Sequence, residues 1–268
     1  MLTKKQFKEH YLKSLQDIRS NIDINTVVKD YISKTNYDYY NFDMNQYLDD
    51  SFIRAFKIYK LLPEAPCSIA DIGGFFGNFS LCFARLGYKV TLFESYEYYD
   101  NCFDALIPFL KKEGIEIQNF NFTKTIDLPN DSFDVTLCLA FLEHLSISPK
   151  VLIDNIKTIT KENGHIFLEV PNIASIANRL QLLAGKTILP DIATIYRATG
   201  CFMGHFHEYT ELELRKLTKL SQLRIIKAML YNYSDHNSLS KRIIFIPSYI
   251  IPSLREVILI KTQKNSHE

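Results

Sequence analysis

Short apolar runs of strand length alternate along this chain with stretches whose apolar residues recur every three or four positions. The strand-like runs are Ser68 to Ile72, Val90 to Glu94, Ile115 to Ile117, the segment opening at Phe133, His165 to Val170, Leu223 to Leu230 and Glu256 to Ile260. Between them lie helical periods with their own stop signals. Gly87 and Gly114 follow the first two, and a helix opening at Pro149 is expected to close at Asn163-Gly164. Thr210 followed by Glu213 is a capping box, so a helix bearing Leu214, Leu217 and Leu220 should start there. Strand and helix periods in alternation predict an α/β fold built on a doubly wound, mostly parallel sheet.

The pattern divides the chain into four parts. Residues 1–66 read as helices, with an amphipathic rhythm at Phe7, Tyr11, Leu15 and Ile18 and a group of tyrosines that includes Tyr37, Tyr39, Tyr40 and Tyr47. The core runs from Cys67 to Asn172. Residues 173–204 are an insertion after the fifth strand: a helix through Leu183, then a long loop containing Pro190, Tyr196, Arg197 and Cys201. Loops at the end of a core strand carry specificity, so substrate contacts are expected there. The last part begins at Gly204-His205-Phe206-His207. Within it, Ile243 to Leu254 is too short to cross a membrane and is interrupted by Pro247 and Pro252, and it reads as a buried strand and loop.

Composition narrows the partners. A chain of 268 residues is long enough for one α/β domain with additions. A net charge of +1 gives no support for bulk nucleic-acid binding. The five cysteines, Cys67, Cys82, Cys102, Cys138 and Cys201, lack paired spacing and suggest reduced thiols in a cytoplasmic protein. The first twenty residues are neither a signal peptide nor a membrane span.

The chemistry concentrates at Asp71-Ile72-Gly73-Gly74-Phe75-Phe76-Gly77, where an apolar strand ends on a carboxylate and turns through glycines into a helix. The next strand ends on Glu94, which completes the opening βαβ unit of a nucleotide-type site. Dinucleotide spacing fails at Phe75 and Phe76, and no GK[ST] element follows. The turn resembles the first motif of class I S-adenosylmethionine-dependent methyltransferases, DxGxGxG, matched at Asp71, Gly73 and Gly77 and missed at Phe75. The stretch Leu128-Pro129 through Phe133-Asp134-Val135 to Glu143-His144-Leu145 is similar to the family's LPxxxFDxV...EHL pattern and is the most specific match.

The resemblance implies a Rossmann-like methyltransferase fold with an antiparallel last strand, residues 67–268 as the methyltransferase domain and residues 1–66 as a helical lid. It implies S-adenosylmethionine as cofactor and S-adenosylhomocysteine as product. Asp71 would orient the donor's ammonium end, Gly73, Gly74, Phe75 and Gly77 would line the turn, and Glu94 with Ser95 would meet the ribose. Asn121 and Phe122 would flank the adenine, and Leu139 and Ala140 would pass beside the methionine portion. Glu143 and His144 are expected to open a helix in a structural role. His205 and His207 are the catalytic candidates, since a hydroxyl acceptor must lose a proton and imidazole titrates near neutrality.

Motifs of base-methylating enzymes are missing, Ala140 stands where a metal-assisted catechol-type enzyme would carry a carboxylate, and no metal is expected. These exclusions favour O-methylation of a small molecule. Abundant Lys, Ile, Asn and Tyr hint at a low-GC bacterium, where similar proteins serve surface-polysaccharide pathways, so a sugar or activated glycan precursor comes first. The alternatives are N-methylation of a small amine, cofactor binding without turnover, and an interaction module built on the N-terminal helices.

Overall fold

A computed structural model describes residues 1–35, 43–96, 100–122, 124, 130–197, 204–234 and 239–265. Tyr37, Tyr39, Tyr40, Leu128, Pro129 and Cys201, singled out above, lie outside them. The chain opens with four helices: α1 (Lys4–Arg19), α2 (Ile24–Thr35), α3 (Met44–Asp50) and α4 (Phe52–Tyr59). The core follows as β1 (Ser68–Ile72), α5 (Asn78–Ala84), β2 (Lys89–Glu94), α6 (Leu106–Lys112), β3 (Glu116–Asn119), β4 (Phe133–Leu139), α7 (Pro149–Ile159) and β5 (Thr160–Pro171). Then come α8 (Ile176–Leu183), α9 (Ile192–Arg197), α10 (Glu211–Leu220), β6 (Leu223–Tyr231), α11 (Leu239–Ile250) and β7 (Val257–Lys264).

The strands form one sheet in the order β3-β2-β1-β4-β5-β7-β6. Pairs from β3 to β5 are parallel, and β7 runs antiparallel to both β5 and β6, as the resemblance implied. Alternate residues of the central strands serve opposite faces. Ile69, Leu137 and Phe167 join one apolar cluster, and Ala70, Cys138 and Leu168 join the other. The order reverses between β1 and β4, and in open parallel sheets the crevice at that reversal, beyond the strands' carboxyl ends, is where ligands bind.

The N-terminal rhythm is fulfilled by α1, where Thr3 caps the helix against Gln6 and Phe7, Tyr11, Leu15 and Ile18 are fully buried. These residues belong to the same cluster as Leu81 and Phe83 of α5. The Thr210–Glu213 capping box forms as expected, with the Glu213 N–H 3.2 Å from Thr210 Oγ1 and the Thr210 N–H 2.8 Å from Glu213 Oε2.

Three expectations change. The helix from Pro149 ends at Ile159, not at Asn163-Gly164, because Thr160 is drawn into the sheet opposite Phe133. Asn163, at φ 60°, makes an irregularity inside β5 before His165 resumes pairing with Val135. The loop of the insertion contains a further helical turn, α9. Ile243 to Leu254 is mostly helix rather than a buried strand. Pro247 sits inside α11, and the carbonyl it leaves without an N–H belongs to Ile243, which is exposed where water can bind it. Phe245 and Ser248 are buried, whereas Ile243, Ile246, Tyr249 and Ile250 face outward, Ile250 at 77% exposure. Among the described residues no helix is long and apolar enough to cross a membrane.

Candidate active site

A cleft of about 1040 Å³ opens over the carboxyl ends of β1, β2, β4 and β5. This is at the upper end for a single small ligand, and it has room for a donor beside an acceptor. Its floor is the glycine turn. The Gly73 N–H donates to the Phe93 carbonyl at 2.8 Å, and Gly73 and Gly77 hold φ of 69° and 67°. A Cβ on Gly74 would lie 2.4 Å from Leu92 Cδ1 and 2.6 Å from Asp71 Oδ2, so that backbone approaches the strand as only glycine allows. Gly74→Ala is therefore expected to displace the Asp71 carboxylate. Overpacking of about 1–3 kcal/mol should weaken donor binding about 5- to 150-fold, which titration calorimetry will read.

Asp71 is buried and accepts a 2.7 Å hydrogen bond from Ser80. Burial pushes its carboxyl up to about 6, against the pull of Ser80 and Arg54. Glu94 fastens the turn from the neighbouring strand: Oε2 accepts from the Phe75 N–H at 2.9 Å and Oε1 from the Ser95 N–H at 2.7 Å. Its carboxyl is raised by burial, opposed by those two bonds.

Phe75, where the motif lacks its glycine, still adopts a left-handed backbone at φ 50°. Such a residue costs about 1 kcal/mol without glycine. Its ring packs 4.0 Å from Phe76 and 5.7 Å from Phe103, which offsets that cost with aromatic burial. The loop thus keeps the glycine-like shape by another route.

The remaining cofactor candidates assemble on the same cleft. Asn121 and Phe122 line it after β3, Phe122 standing 5.2 Å from Phe93. Leu139 and Ala140 line it after β4, and the Ala140 N–H donates to the Glu169 carbonyl at 2.9 Å. Ser95 is also in the lining, while Gly77 stands behind it at the start of α5.

The two histidine candidates separate. His205 lines the cleft, its Nδ1 2.8 Å from Glu208 Oε1. Burial disfavours its charge, but the Glu208 hydrogen bond and the carboxylates of Glu143 and Glu208 prevail and raise its pKa. His207 is outside the lining, 57% exposed, with Nε2 3.8 Å from Glu213 and its ring against Tyr209.

Glu143 and His144 lie in a short 3-10 turn, Leu142–His144, and Arg54 and Glu169, not singled out from the sequence, join the cleft. Glu143 is fully buried, and among the described residues neither carboxylate oxygen has a partner beyond its own backbone N–H. Its backbone carbonyl accepts from the Phe206 N–H at 2.7 Å, joining the turn after β4 to the histidine loop. Arg54 of α4 forms a two-pronged pair with Glu169 of β5, Nε to Oε1 at 2.9 Å and Nη2 to Oε2 at 3.0 Å. The hydroxyl of Tyr47 accepts from Arg54, and that of Tyr231 donates to Glu169. The available signal was a charge inside an apolar run: Arg54, which with Lys57 interrupts α4, and Glu169 in HIFLEV.

Comparison with known proteins places this geometry in context. Residues 40–228 match a family model described as a methyltransferase domain. The sequence finds no significant match among curated proteins. Among solved structures, a S-adenosylmethionine-dependent methyltransferase from Methanosarcina mazei is 19% identical with a TM-score of 0.56, over 79% of this chain and 98% of its own. A Thermotoga maritima structure titled as a possible histamine N-methyltransferase is 16% identical with a TM-score of 0.53, over 79% of this chain and 87% of its own. A Haloferax volcanii putative methyltransferase, solved with the Trm112 methyltransferase activator, is 11% identical with a TM-score of 0.57, over 82% of this chain and 90% of its own.

Proposed function

The chain belongs to the class I S-adenosylmethionine-dependent methyltransferases, and from that membership we propose that it moves the methyl group onto a hydroxyl of a small molecule. The observation that carries the hydroxyl reading is the His205–Glu208 pair on the cleft. The donor, when bound, supplies an electrophilic methyl carbon and a neutral thioether leaving group. The chain's own task is to hold the acceptor in line and take its proton. Glu208 fixes one imidazole nitrogen as a donor and leaves Nε2 to accept that proton. The residues fit the donor: Gly74 gives the close approach, Asp71 lies beneath the turn for the ammonium end, and Glu94 offers carboxylate oxygen to the ribose. Asn121 and Phe122 then serve the adenine, with Leu139 and Ala140 along the methionine portion.

A sugar or an activated glycan precursor is our first acceptor class. Composition motivates it, and Ile173, Ile188, Leu189 and Phe206 along the cleft favour a precursor with an apolar portion. An insertion that supplies Ile188, Leu189, Pro190 and Thr194 to the lining supports its assignment to substrate contacts. The N-terminal helices contribute Val27, Val28, Met44, Tyr47 and Leu48, which supports residues 1–66 as a lid. Thiols at Cys67, Cys82 and Cys138, outside any disulfide among the described residues, suit a cytoplasmic setting.

N-methylation of a small amine is the second reading, because a neutral amine needs no base. The two are told apart by S-adenosylhomocysteine release with sugar, lipid-linked and amine acceptors. His205→Ala is expected to lower kcat about 100-fold or more for a hydroxyl acceptor. His207→Ala is expected to stay within about threefold, given its exposure outside the cleft. Full activity in His205→Ala would remove the base assignment.

A further inference from the structure

We propose that Glu143, His144 and His205 form a site for one divalent transition-metal ion at the edge of the cleft, able to take the acceptor's hydroxyl oxygen as a further ligand. The inference rests on the hydroxyl reading above and deepens it. One donor atom from each residue lies within 4.8 Å of the others. A shared ion at about 2.0–2.2 Å from each donor asks for spacings of roughly 3–4 Å, so small side-chain rotations close the set. The rings of His144 and His205 already stand 4.8 Å apart.

Three further observations point to a cation. Glu143 is fully buried, and among the described residues its carboxylate oxygens meet no hydrogen-bond donor beyond its own backbone N–H, which a native interior rarely tolerates. Protonation would remove the charge but leave an O–H without an acceptor among the described residues. A cation satisfies both oxygens. Secondly, His205 presents Nδ1 to Glu208, leaving Nε2 for a ligand, and a carboxylate behind a histidine is the arrangement that orients metal-bound imidazoles. Thirdly, the backbone bond from Phe206 N–H to the Glu143 carbonyl holds the two halves of the site together across sixty residues of chain. Two imidazoles and one carboxylate select a first-row transition metal over magnesium, and leave open positions.

On such an ion the acceptor's O–H would be acidified by coordination. The oxygen forms the new bond to the methyl carbon while the carbon–sulfur bond breaks toward sulfur, and the proton passes to solvent. With the ion bound, His205 Nε2 is its ligand and the acceptor's proton leaves to solvent; in the metal-free chain the same nitrogen takes that proton.

The experiment uses the full chain, stripped with a chelator and titrated calorimetrically with zinc(II), manganese(II) and magnesium(II), with S-adenosylhomocysteine binding measured in parallel. We expect one zinc or manganese ion per chain, tighter than magnesium by at least tenfold. Glu143→Gln and His205→Ala should each weaken it at least 100-fold, with folding checked by circular dichroism, and His207→Ala should leave it within threefold. S-adenosylhomocysteine affinity of the stripped protein should change less than threefold. Absence of stoichiometric binding, or binding retained in both Glu143→Gln and His205→Ala, overturns the metal site. Loss of S-adenosylhomocysteine binding in the unmodified chain would instead overturn the methyltransferase reading.

Discussion

Glu94→Ala is expected to weaken S-adenosylmethionine binding by on the order of 100-fold while the chain stays folded. The carboxylate does two things at once. Its oxygens hold the Phe75 and Ser95 N–H groups at 2.9 and 2.7 Å, and it lines the cleft on the side where we place the donor's ribose. Alanine frees the turn, whose left-handed Phe75 has a backbone preference to relax, and deletes the ribose partner proposed above. Charge-assisted hydrogen bonds contribute about 1.5–3 kcal/mol each, so a net loss of about 3 kcal/mol follows, or about 100-fold in Kd. Glu94→Gln keeps one acceptor oxygen and should fall between the two. Titration calorimetry with donor and product measures both, and a Kd within threefold of the unmodified chain for Glu94→Ala would remove Glu94 from the donor site.

Local features were legible in the sequence because their physics is local. The capping box at Thr210, the rhythm of α1 and the glycine turn each declare themselves within a few residues. Failures occurred where distant chain decided. Thr160 leaves α7 because Phe133 offers it a strand partner, which overrides Asn163-Gly164 as a helix stop. Pro247 is tolerated because α11 turns that side to water, which the pattern of apolar residues alone hid. Phe75 looked like a missing glycine, yet its neighbour Phe76, together with Phe103 and Glu94 from outside the motif, holds the glycine-like backbone. The site divides the same way. Asp71 and Glu94 could be named from strand ends, whereas Glu143 gains meaning only when His205 folds beside it.

Arg54→Ala is the substitution with the largest expected effect on stability. Arg54 and Glu169 are 5% and 1% exposed and come from elements 115 residues apart, the N-terminal helices and the central strand. Arg54 also stacks near Phe79, with 5.4 Å from the guanidinium carbon to the ring centre. Removing the arginine leaves the Glu169 carboxylate, among the described residues, with only the Tyr231 hydroxyl in a nearly dry site. Breaking one partner of such a pair costs about 3–5 kcal/mol, which for a chain of this length lowers Tm by on the order of 10 °C. Arg54→Met combined with Glu169→Leu removes both charges and should recover more than half of the loss, because the desolvation cost disappears with the pair. Thermal unfolding of the three variants decides between two accounts of the N-terminal helices. A loss near 10 °C means the ion pair ties them to the sheet over the cleft. A loss under about 2 °C would mean that apolar burial at Phe7, Tyr11, Leu15 and Ile18 suffices and that Arg54 serves the cleft alone.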